Sequence, residues 1–109
     1  MHPQELFQLE GKTAVVTGGG GVLCSSMAVA LACAGARVAV LDLRQEAAQA
    51  VVDTIHAQGG EAVGLACDVL DKASLEQAAQ AIEQAYGGVE ILINGAGGNK
   101  PQASTNPTQ

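Results

Sequence analysis

The chain has 109 residues, 48% of them hydrophobic, 15% charged and 2% aromatic, which suits one small folded domain with an aliphatic core and excludes a disordered chain. A formal net charge of −6 argues against nucleic acid and anionic membrane surfaces as partners. A polar N-terminal segment, interrupted apolar stretches and three widely spaced cysteines predict a reduced cytoplasmic protein with no signal peptide, membrane span, disulfide framework or metal site.

Strand-like and helix-like segments alternate along the chain with short connections, and glycines follow each helix. In chain order we predict strand 12–17, helix 22–34, strand 37–41 with Asp42 at its end, helix 44–58, strand 61–67, a helix between Asp71 and Gly87, and strand 89–93. Residues 22–34 carry no charge, so this helix should be buried on most sides. Asp71 is the expected N-cap of the third helix, with Ser74 and Gln77 as a capping-box alternative.

This alternation predicts an α/β fold, a doubly wound parallel sheet of the Rossmann type. Right-handed crossovers place strands two and three on one side of strand one and strand four on the other, so the strand order is 3-2-1-4. The sheet is incomplete, because the apolar outer edge of strand four has no expected neighbour, and such an edge predicts self-association. A ligand should bind beyond the carboxyl ends of strands one and four, where the strand order reverses.

Two glycine-rich turns leave the carboxyl ends of strands one and four and flank this crevice. The first, Gly18–Gly21, would bring backbone N–H groups close to a pyrophosphate, and the helix that begins near Val22 adds its positive dipole end. Ser25 and Ser26 could add hydroxyl contacts to the ligand or could bond only within the helix. The second turn covers residues 94–98.

Asp42 follows the glycine run by about 20 residues, at the position where a carboxylate can hold the hydroxyls of an adenosine ribose. The same charge opposes a 2′-phosphate, since two like charges about 4 Å apart repel by roughly 4 kcal/mol at an effective dielectric of about 20. The expected cofactor is therefore NAD, with NADP disfavoured. Arg44 is a nearby cation that could partly reverse this preference.

Four motifs resemble the short-chain dehydrogenase/reductase family, in that family's order and spacing. They are KTAVVTGGGG at 12–21, LDL at 41–43, CDV at 67–69 and ILINGAG at 91–97. The resemblance covers residues 5–98 and implies an NAD-binding Rossmann half-domain over residues 1–98, followed by a polar loop or disordered tail over 99–109. It also implies an NAD(P)-dependent oxidoreductase, and the region around the glycine run is similar to a branch that acts on sugar acids such as mannonate or fructuronate.

The resemblance also implies roles for two short segments. Asp68 and Val69 look like the pair that flanks the adenine ring, and residues 94–97 look like the segment that steadies the sheet and lines the ribose side of the cofactor. Together with the turns, this predicts the cofactor-binding residues Gly18, Gly20, Gly21, Val22, Leu23, Asp42, Leu43, Asp68, Val69, Asn94, Gly95, Ala96 and Gly97.

The glycine run departs from the family pattern T-G-x-x-x-G-x-G. Aligned from Thr17, the two later glycines of that pattern fall on Val22 and Cys24. We therefore expect Gly20 and Gly21 to supply the close backbone approach, with the turn shifted by one residue.

The family's chemistry uses a Tyr general acid with a Lys four residues later, together with a Ser. The only tyrosine here is Tyr86, and Glu90 stands four residues after it. Tyr86 is also expected at the end of the third helix, away from the crevice. We therefore predict that this chain binds the cofactor and carries no complete catalytic site.

Three functions remain open on the sequence. The chain is the cofactor-binding part of a longer oxidoreductase, a non-catalytic module that binds a dinucleotide, or a methyltransferase-like half that binds S-adenosylmethionine. The turn at Asn94 argues against the third.

Overall fold

The computed structural model describes residues 9–18 and 20–95, and the predicted site residues Ala96 and Gly97 and the expected tail 99–109 lie outside this range. Seven elements follow in chain order: β1 (Thr13–Thr17), α1 (Val22–Cys33), β2 (Arg37–Asp42), α2 (Gln45–Ala57), β3 (Glu61–Ala66), α3 (Lys72–Tyr86) and β4 (Ile91–Asn94). The first six agree with the predicted bounds to within one residue at each end. None of the helices in the described part of the chain is long and apolar enough to cross a membrane.

The four strands form one parallel sheet in the order β3-β2-β1-β4, which confirms the predicted α/β topology. Thr17, the last residue of β1, is in register with Leu41 of β2 and with Asn94 of β4. On the far side of β2, Asp42 is in register with Ala66 of β3. The carboxyl ends of all four strands therefore meet at one edge of the sheet, and the loops that follow them lie there together.

Alternate residues of the central strands enter two separate cores, one on each face of the sheet. Ala14, Val16, Val38 and Val40 face α1 and α2 in the larger core, where Ile55 of α2 is completely buried. The other face packs against α3, through the smaller core of Val15, Ala39, Leu41, Cys67, Ala78, Ile82 and Tyr86. Because both faces of β1 and β2 are covered, these strands are apolar at every position except their ends, as in other parallel sheets.

Helix α1 differs from the expectation that it is buried on most sides. Only Ala28 and Ala32 are buried, whereas the side chains of Val22 and Leu23 are 89% and 72% exposed. One side of α1 packs against the sheet and α2, whereas Ala30 and Cys33, like Val22 and Leu23, are exposed. The absence of charge in this helix therefore did not indicate which of its faces is covered by the described part of the chain.

Strand β4 begins at Ile91 rather than at the predicted residue 89. The Glu90 backbone N–H donates to the Thr13 carbonyl oxygen at 2.9 Å, while the Glu90 carboxylate accepts the Thr13 N–H at 2.7 Å. The Glu90 carboxylate thus occupies the position of a strand carbonyl oxygen. Regular pairing of β4 with β1 starts one residue later, at Ile91. Asp71 caps α3 as predicted, since its carboxylate accepts the Ala73 N–H at 3.1 Å.

Candidate cofactor site

The ends of β1 and β4 are tied together by Thr17. Its hydroxyl donates to the side-chain Oδ1 of Asn94 at 2.7 Å. The Gly95 N–H in turn donates to the Thr17 carbonyl oxygen at 3.0 Å and lies 3.1 Å from its hydroxyl oxygen. The chain therefore leaves β1 and β4 side by side, at the same edge of the sheet. Sequence reasoning did not include Thr17 among the site residues, although a hydroxyl at the last strand position before a glycine was the available signal.

The first turn reverses direction at Gly18 and runs into α1. Gly18 has φ +66°, a left-handed conformation that favours glycine. The Gly21 N–H donates to the Gly18 carbonyl oxygen at 3.1 Å, and Gly21 is the N-cap of α1 with no side-chain cap. The first bond within the helix runs from Ser25 N–H to the Gly21 carbonyl oxygen. The N–H groups of residues 22–24 precede it and mark the positive end of the helix.

Asp42 joins the end of β2 to this glycine turn. Its Oδ2 accepts the Gly20 N–H at 2.8 Å, and its Oδ1 accepts the Arg44 N–H at 3.1 Å. A Cβ on Gly20 would lie 2.7 Å from the Ala47 Cβ and 2.8 Å from Asp42 Oδ2. Gly20 therefore provides a close approach as expected, but to Asp42 and α2 of its own chain.

The two serines in the first turns of α1 bond locally. Ser25 Oγ and Ser26 Oγ donate to the Val22 carbonyl oxygen at 2.9 and 3.1 Å. The sequence left open whether these serines contact the ligand or bond only within the helix, and the structure shows the bonds within the helix.

The loop after β3 lies beside Asp42. The Cys67 N–H donates to the Asp42 carbonyl oxygen at 2.8 Å. Asp68 accepts the Leu70 N–H through Oδ1 at 3.0 Å, and its own N–H donates to Ser74 Oγ at 3.0 Å. These bonds fold the loop into a tight turn that presents the Asp68 carboxylate and an apolar side to the same edge of the sheet.

These loops enclose a cleft of about 350 Å³ at the carboxyl edge of the sheet. It is lined by Gly18, Gly21, Asp42, Leu43, Cys67, Asp68, Val69, Leu70 and Gly95. Seven of the predicted site residues are thereby brought together, while Gly20, Val22, Leu23 and Asn94 do not line the cleft. Leu70 was missed by sequence reasoning, although a large apolar residue that is 90% exposed beside a cleft is a notable surface feature.

Tyr86 lies at the opposite end of the sheet. Arg37, the first residue of β2, donates from Nη2 to the Tyr86 carbonyl oxygen at 3.2 Å, and its guanidinium carbon lies 5.2 Å from the centre of the Tyr86 ring. Burial raises the pKa of Tyr86, the Glu61 charge raises it further, and Arg37 lowers it. A raised pKa at the amino ends of the strands is the reverse of what a catalytic tyrosine beside the cleft requires.

The described residues contain no group of three His, Cys, Asp or Glu side chains that could hold a metal ion. The carboxylates of Asp42 and Asp68 line the cleft, and the N–H groups at the start of α1 lie beside it. This combination suits an organic ligand that carries both phosphates and hydroxyls.

The family to which the chain belongs follows from its similarity to known protein families. A family model for short chain dehydrogenases matches residues 12–109. The chain belongs to the short-chain dehydrogenase family. This confirms the resemblance carried by the four sequence motifs and counts against the methyltransferase-like alternative.

Several relatives of this short-chain dehydrogenase chain are similar to it over almost its full length. The uncharacterized oxidoreductase UxuB of Bacillus subtilis (strain 168) is 57% identical over 97 residues, which are 89% of this chain and 35% of the relative. The 7alpha-hydroxysteroid dehydrogenase of Escherichia coli (strain K12) is 37% identical over 102 residues, or 94% of this chain and 40% of the relative. The chain thus spans little more than a third of the length of these relatives.

Solved structures show the same similarity. A crystal structure with bound NAD, of a Haemophilus influenza protein provisionally named as a D-mannonate oxidoreductase, has a TM-score of 0.84 and 42% identity and covers 94% of this chain and 36% of its own. A hydroxysteroid dehydrogenase from Escherichia coli has a TM-score of 0.79 and 38% identity, covering 81% of this chain and 37% of its own. The α/β Rossmann fold of the short-chain dehydrogenases is therefore the fold of this chain.

Proposed function

We propose that this chain is the NAD-binding part of an oxidoreductase of the short-chain dehydrogenase type. The observation that carries the proposal is the meeting of three segments at one cleft: the turn after Thr17, the turn after Asn94 and the carboxylate of Asp42. The related Haemophilus protein, with a TM-score of 0.84, has NAD bound, which supports the choice of ligand.

The chemistry of the cleft fits the parts of NAD. Residues 22–24 offer backbone N–H groups and the positive helix end to the pyrophosphate. Asp42 offers acceptor positions to the adenosine ribose, and Leu43, Val69 and Leu70 offer apolar surface to the adenine ring. Asn94 ends β4 and Gly95 follows it, and we propose that residues 94–97 line the second ribose. When bound, the nicotinamide supplies hydride transfer, and these residues hold and orient the dinucleotide.

We further propose that the general acid and its lysine partner are not among the described residues. Support comes from Tyr86, which lies at the far end of the sheet with a raised pKa and with Glu90, not a lysine, four residues later. In this proposal residues 1–98 form the NAD-binding half-domain, 99–109 form a polar tail, and the isolated chain binds NAD without oxidising a substrate.

Variants at Gly21 test the site while protecting the fold. Gly21 has φ −73°, and a Cβ there would meet nothing closer than the Gly18 carbonyl oxygen at 3.5 Å, so other residues fit. Asp and Asn are both favoured N-caps, and they differ in charge. By calorimetric titration we expect Gly21→Asp to bind NAD at least about tenfold more weakly than Gly21→Asn, because the carboxylate repels the pyrophosphate.

The same titration contains the outcomes that would overturn the proposal. A folded wild-type chain that does not bind NAD, or that binds S-adenosylmethionine in competition with it, contradicts the proposed function. Equal affinities of the Asp and Asn variants would place the pyrophosphate somewhere other than the start of α1. Circular dichroism of both variants confirms that each is folded.

A sugar acid is our proposed substrate class for the whole protein, supported by the name of the Haemophilus relative. Other relatives carry the names of a D-threitol dehydrogenase, at 42% identity, and a 7alpha-hydroxysteroid dehydrogenase, at 37%. The protein expressed from the complete gene should therefore be assayed with NAD and each of D-mannonate, D-threitol and a 7α-hydroxysteroid. Oxidation of the threitol or the steroid but not of mannonate would refute the sugar-acid proposal.

We also propose that the outer edge of β4 pairs with a second copy of the chain. Among the described residues β4 pairs only with β1, and Leu92 and Val89 beside this edge are 63% and 50% exposed. A groove of about 720 Å³ with mainly apolar walls runs between β4 and α3, and Gly18, Gly20 and Gly21 do not line it. An unpaired edge can pair with the same edge of another copy around a twofold axis, which would cover both apolar surfaces.

A further inference from the structure

The bond between Asp42 and Gly20 connects two parts of the proposed site that bind different parts of the ligand. Asp42 belongs to the ribose end and Gly20 to the pyrophosphate turn, and the two residues are 22 positions apart in the chain. The bond length of 2.8 Å and the close contact between Gly20 and Ala47 hold this turn against the end of β2 and the start of α2. Without Asp42, the described bond from Gly21 N–H to the Gly18 carbonyl oxygen would remain as a local restraint on the turn.

We propose that Asp42 is a positioning residue for the pyrophosphate turn as well as the ligand of the adenosine ribose, so that the two recognition events are coupled through the Gly20 N–H. This inference rests on the proposed NAD site and deepens it. An ionised carboxylate has about four acceptor positions, and the N–H groups of Gly20 and Arg44 use two of them. The remaining positions can accept two ribose hydroxyls while the bond to the turn is kept.

The coupling also bears on the choice between NAD and NADP. A carboxylate held by two N–H groups cannot rotate away from a 2′-phosphate without releasing the glycine turn. Removal of the side chain relieves the repulsion but also releases the turn. We therefore expect Asp42→Ala to lose affinity for NAD without a comparable gain in affinity for NADP.

Inorganic pyrophosphate separates the two roles because it has no ribose. If Asp42 only binds ribose, its removal deletes a negative charge near an anion, and pyrophosphate should bind equally well or more tightly. If Asp42 positions the turn, Asp42→Ala should weaken pyrophosphate binding. Asp42→Asn retains an oxygen acceptor for the Gly20 N–H and loses the charge, so it should bind pyrophosphate at least as well as the wild type.

The experiment follows the backbone amide signals of the full chain by NMR during titration with pyrophosphate. We expect Asp42→Ala to bind at least about threefold more weakly than Asp42→Asn, which is close to 0.6 kcal/mol. Asp53→Ala is the charge-matched control, because Asp53 is exposed on α2 and bonds to Gln49. Asp42→Ala binding pyrophosphate as tightly as Asp42→Asn would overturn the proposal.

Hydrogen exchange of the Gly20 amide in the free chain gives a readout that needs no ligand. Its exchange should accelerate in Asp42→Ala and remain slow in Asp53→Ala. An unchanged Gly20 exchange rate in folded Asp42→Ala would also overturn the coupling. Since this readout does not depend on NAD, a failure of the coupling and a failure of the proposed NAD site remain distinguishable.

Discussion

Gly95 lies directly against the side chain of Cys24, so that a Cβ on Gly95 would overlap the Cys24 Sγ atom and lie 3.0 Å from the Thr17 carbonyl oxygen. The start of α1 and the turn after β4 are therefore in van der Waals contact with no room for a methyl group. Cys24 stands where the family pattern T-G-x-x-x-G-x-G has its last glycine. The contact shows where this chain accommodates the larger residue.

The first prediction concerns this contact. Gly95→Ala should lower the free energy of unfolding by about 1–3 kcal/mol, as expected when an added methyl group forces packed atoms apart. Adding Cys24→Ala should recover part of this loss, because it removes the overlapping sulfur and leaves the 3.0 Å contact with the Thr17 carbonyl oxygen and an ordinary 3.5 Å contact with the Cβ of residue 24. Urea unfolding of both single variants and the double variant measures the coupling. Strictly additive losses would show that the two residues do not interact.

The second prediction concerns the N-cap of α3. Asp71→Ala should lower the free energy of unfolding by about 1 kcal/mol, because the Ala73 N–H loses its acceptor. Asp71→Asn keeps an oxygen at the same place and should remain close to the wild type. Thermal or urea unfolding compares the two, and an equal loss in both would assign the effect to charge rather than to capping.

The third prediction concerns pH. Burial gives Tyr86 a folded-state pKa above the ordinary value of 10.0. The folded chain therefore holds this proton more tightly than the unfolded chain, so the contribution to stability is complete below about pH 10 and is lost as the pH rises through the folded-state pKa. We expect the melting temperature to fall in this alkaline range, and to fall less in Tyr86→Phe.

The same variant has a second expected effect. The Tyr86 hydroxyl is buried without a hydrogen-bond partner among the described residues. Since an unsatisfied buried hydroxyl destabilises a protein by about 1–3 kcal/mol, Tyr86→Phe should be as stable as the wild type at neutral pH or more stable. A large loss at neutral pH would mean that the hydroxyl has a partner in solution.

The fourth prediction concerns the β4 edge. A lysine in an exposed edge strand opposes pairing with another edge, so Leu92→Lys should shift the chain toward the monomer in light-scattering chromatography. Gln80→Lys adds the same charge at an exposed position of α3 and should have no such effect. Because the chain carries a net charge of −6, added salt should strengthen association of the wild type. A wild type that is monomeric at high concentration and high salt would refute the proposal.

The amino-acid sequence predicted most of this fold correctly because the apolar pattern of a doubly wound sheet is strong and local. The runs of β1 and β2 are buried on both faces, and glycines follow each helix, so six elements are predicted to within a residue at each end. The start of β4 was predicted two residues too early. Val89 continues the apolar pattern, but the Thr13 N–H donates to the Glu90 carboxylate in place of a strand carbonyl oxygen. No local pattern indicates such a long-range bond.

The candidate site, like the fold, was predicted only in part from the sequence. Glycines after β1, an acid after β2 and a polar turn after β4 can be recognised in the sequence because their distances along the chain reflect strand and helix lengths. Three contacts of the site join residues that are 22 to 77 positions apart in the chain. They are the bond from Gly20 to Asp42, the bond from Thr17 to Asn94 and the contact between Cys24 and Gly95. Secondary-structure propensities depend on residues that are close together in the sequence, so they do not predict such pairs.

Composition, periodicity and motif order by themselves determined the class of fold and the strand order, and they predicted the edge of the sheet at which a dinucleotide would bind. Only the tertiary structure decided which atoms of that edge are already bonded to each other, which face of α1 is covered, and that Tyr86 packs on Arg37 at the opposite end. The reason is physical: secondary structure follows from interactions between near neighbours in the chain. The positions of individual donors, acceptors and side chains depend on how distant segments pack.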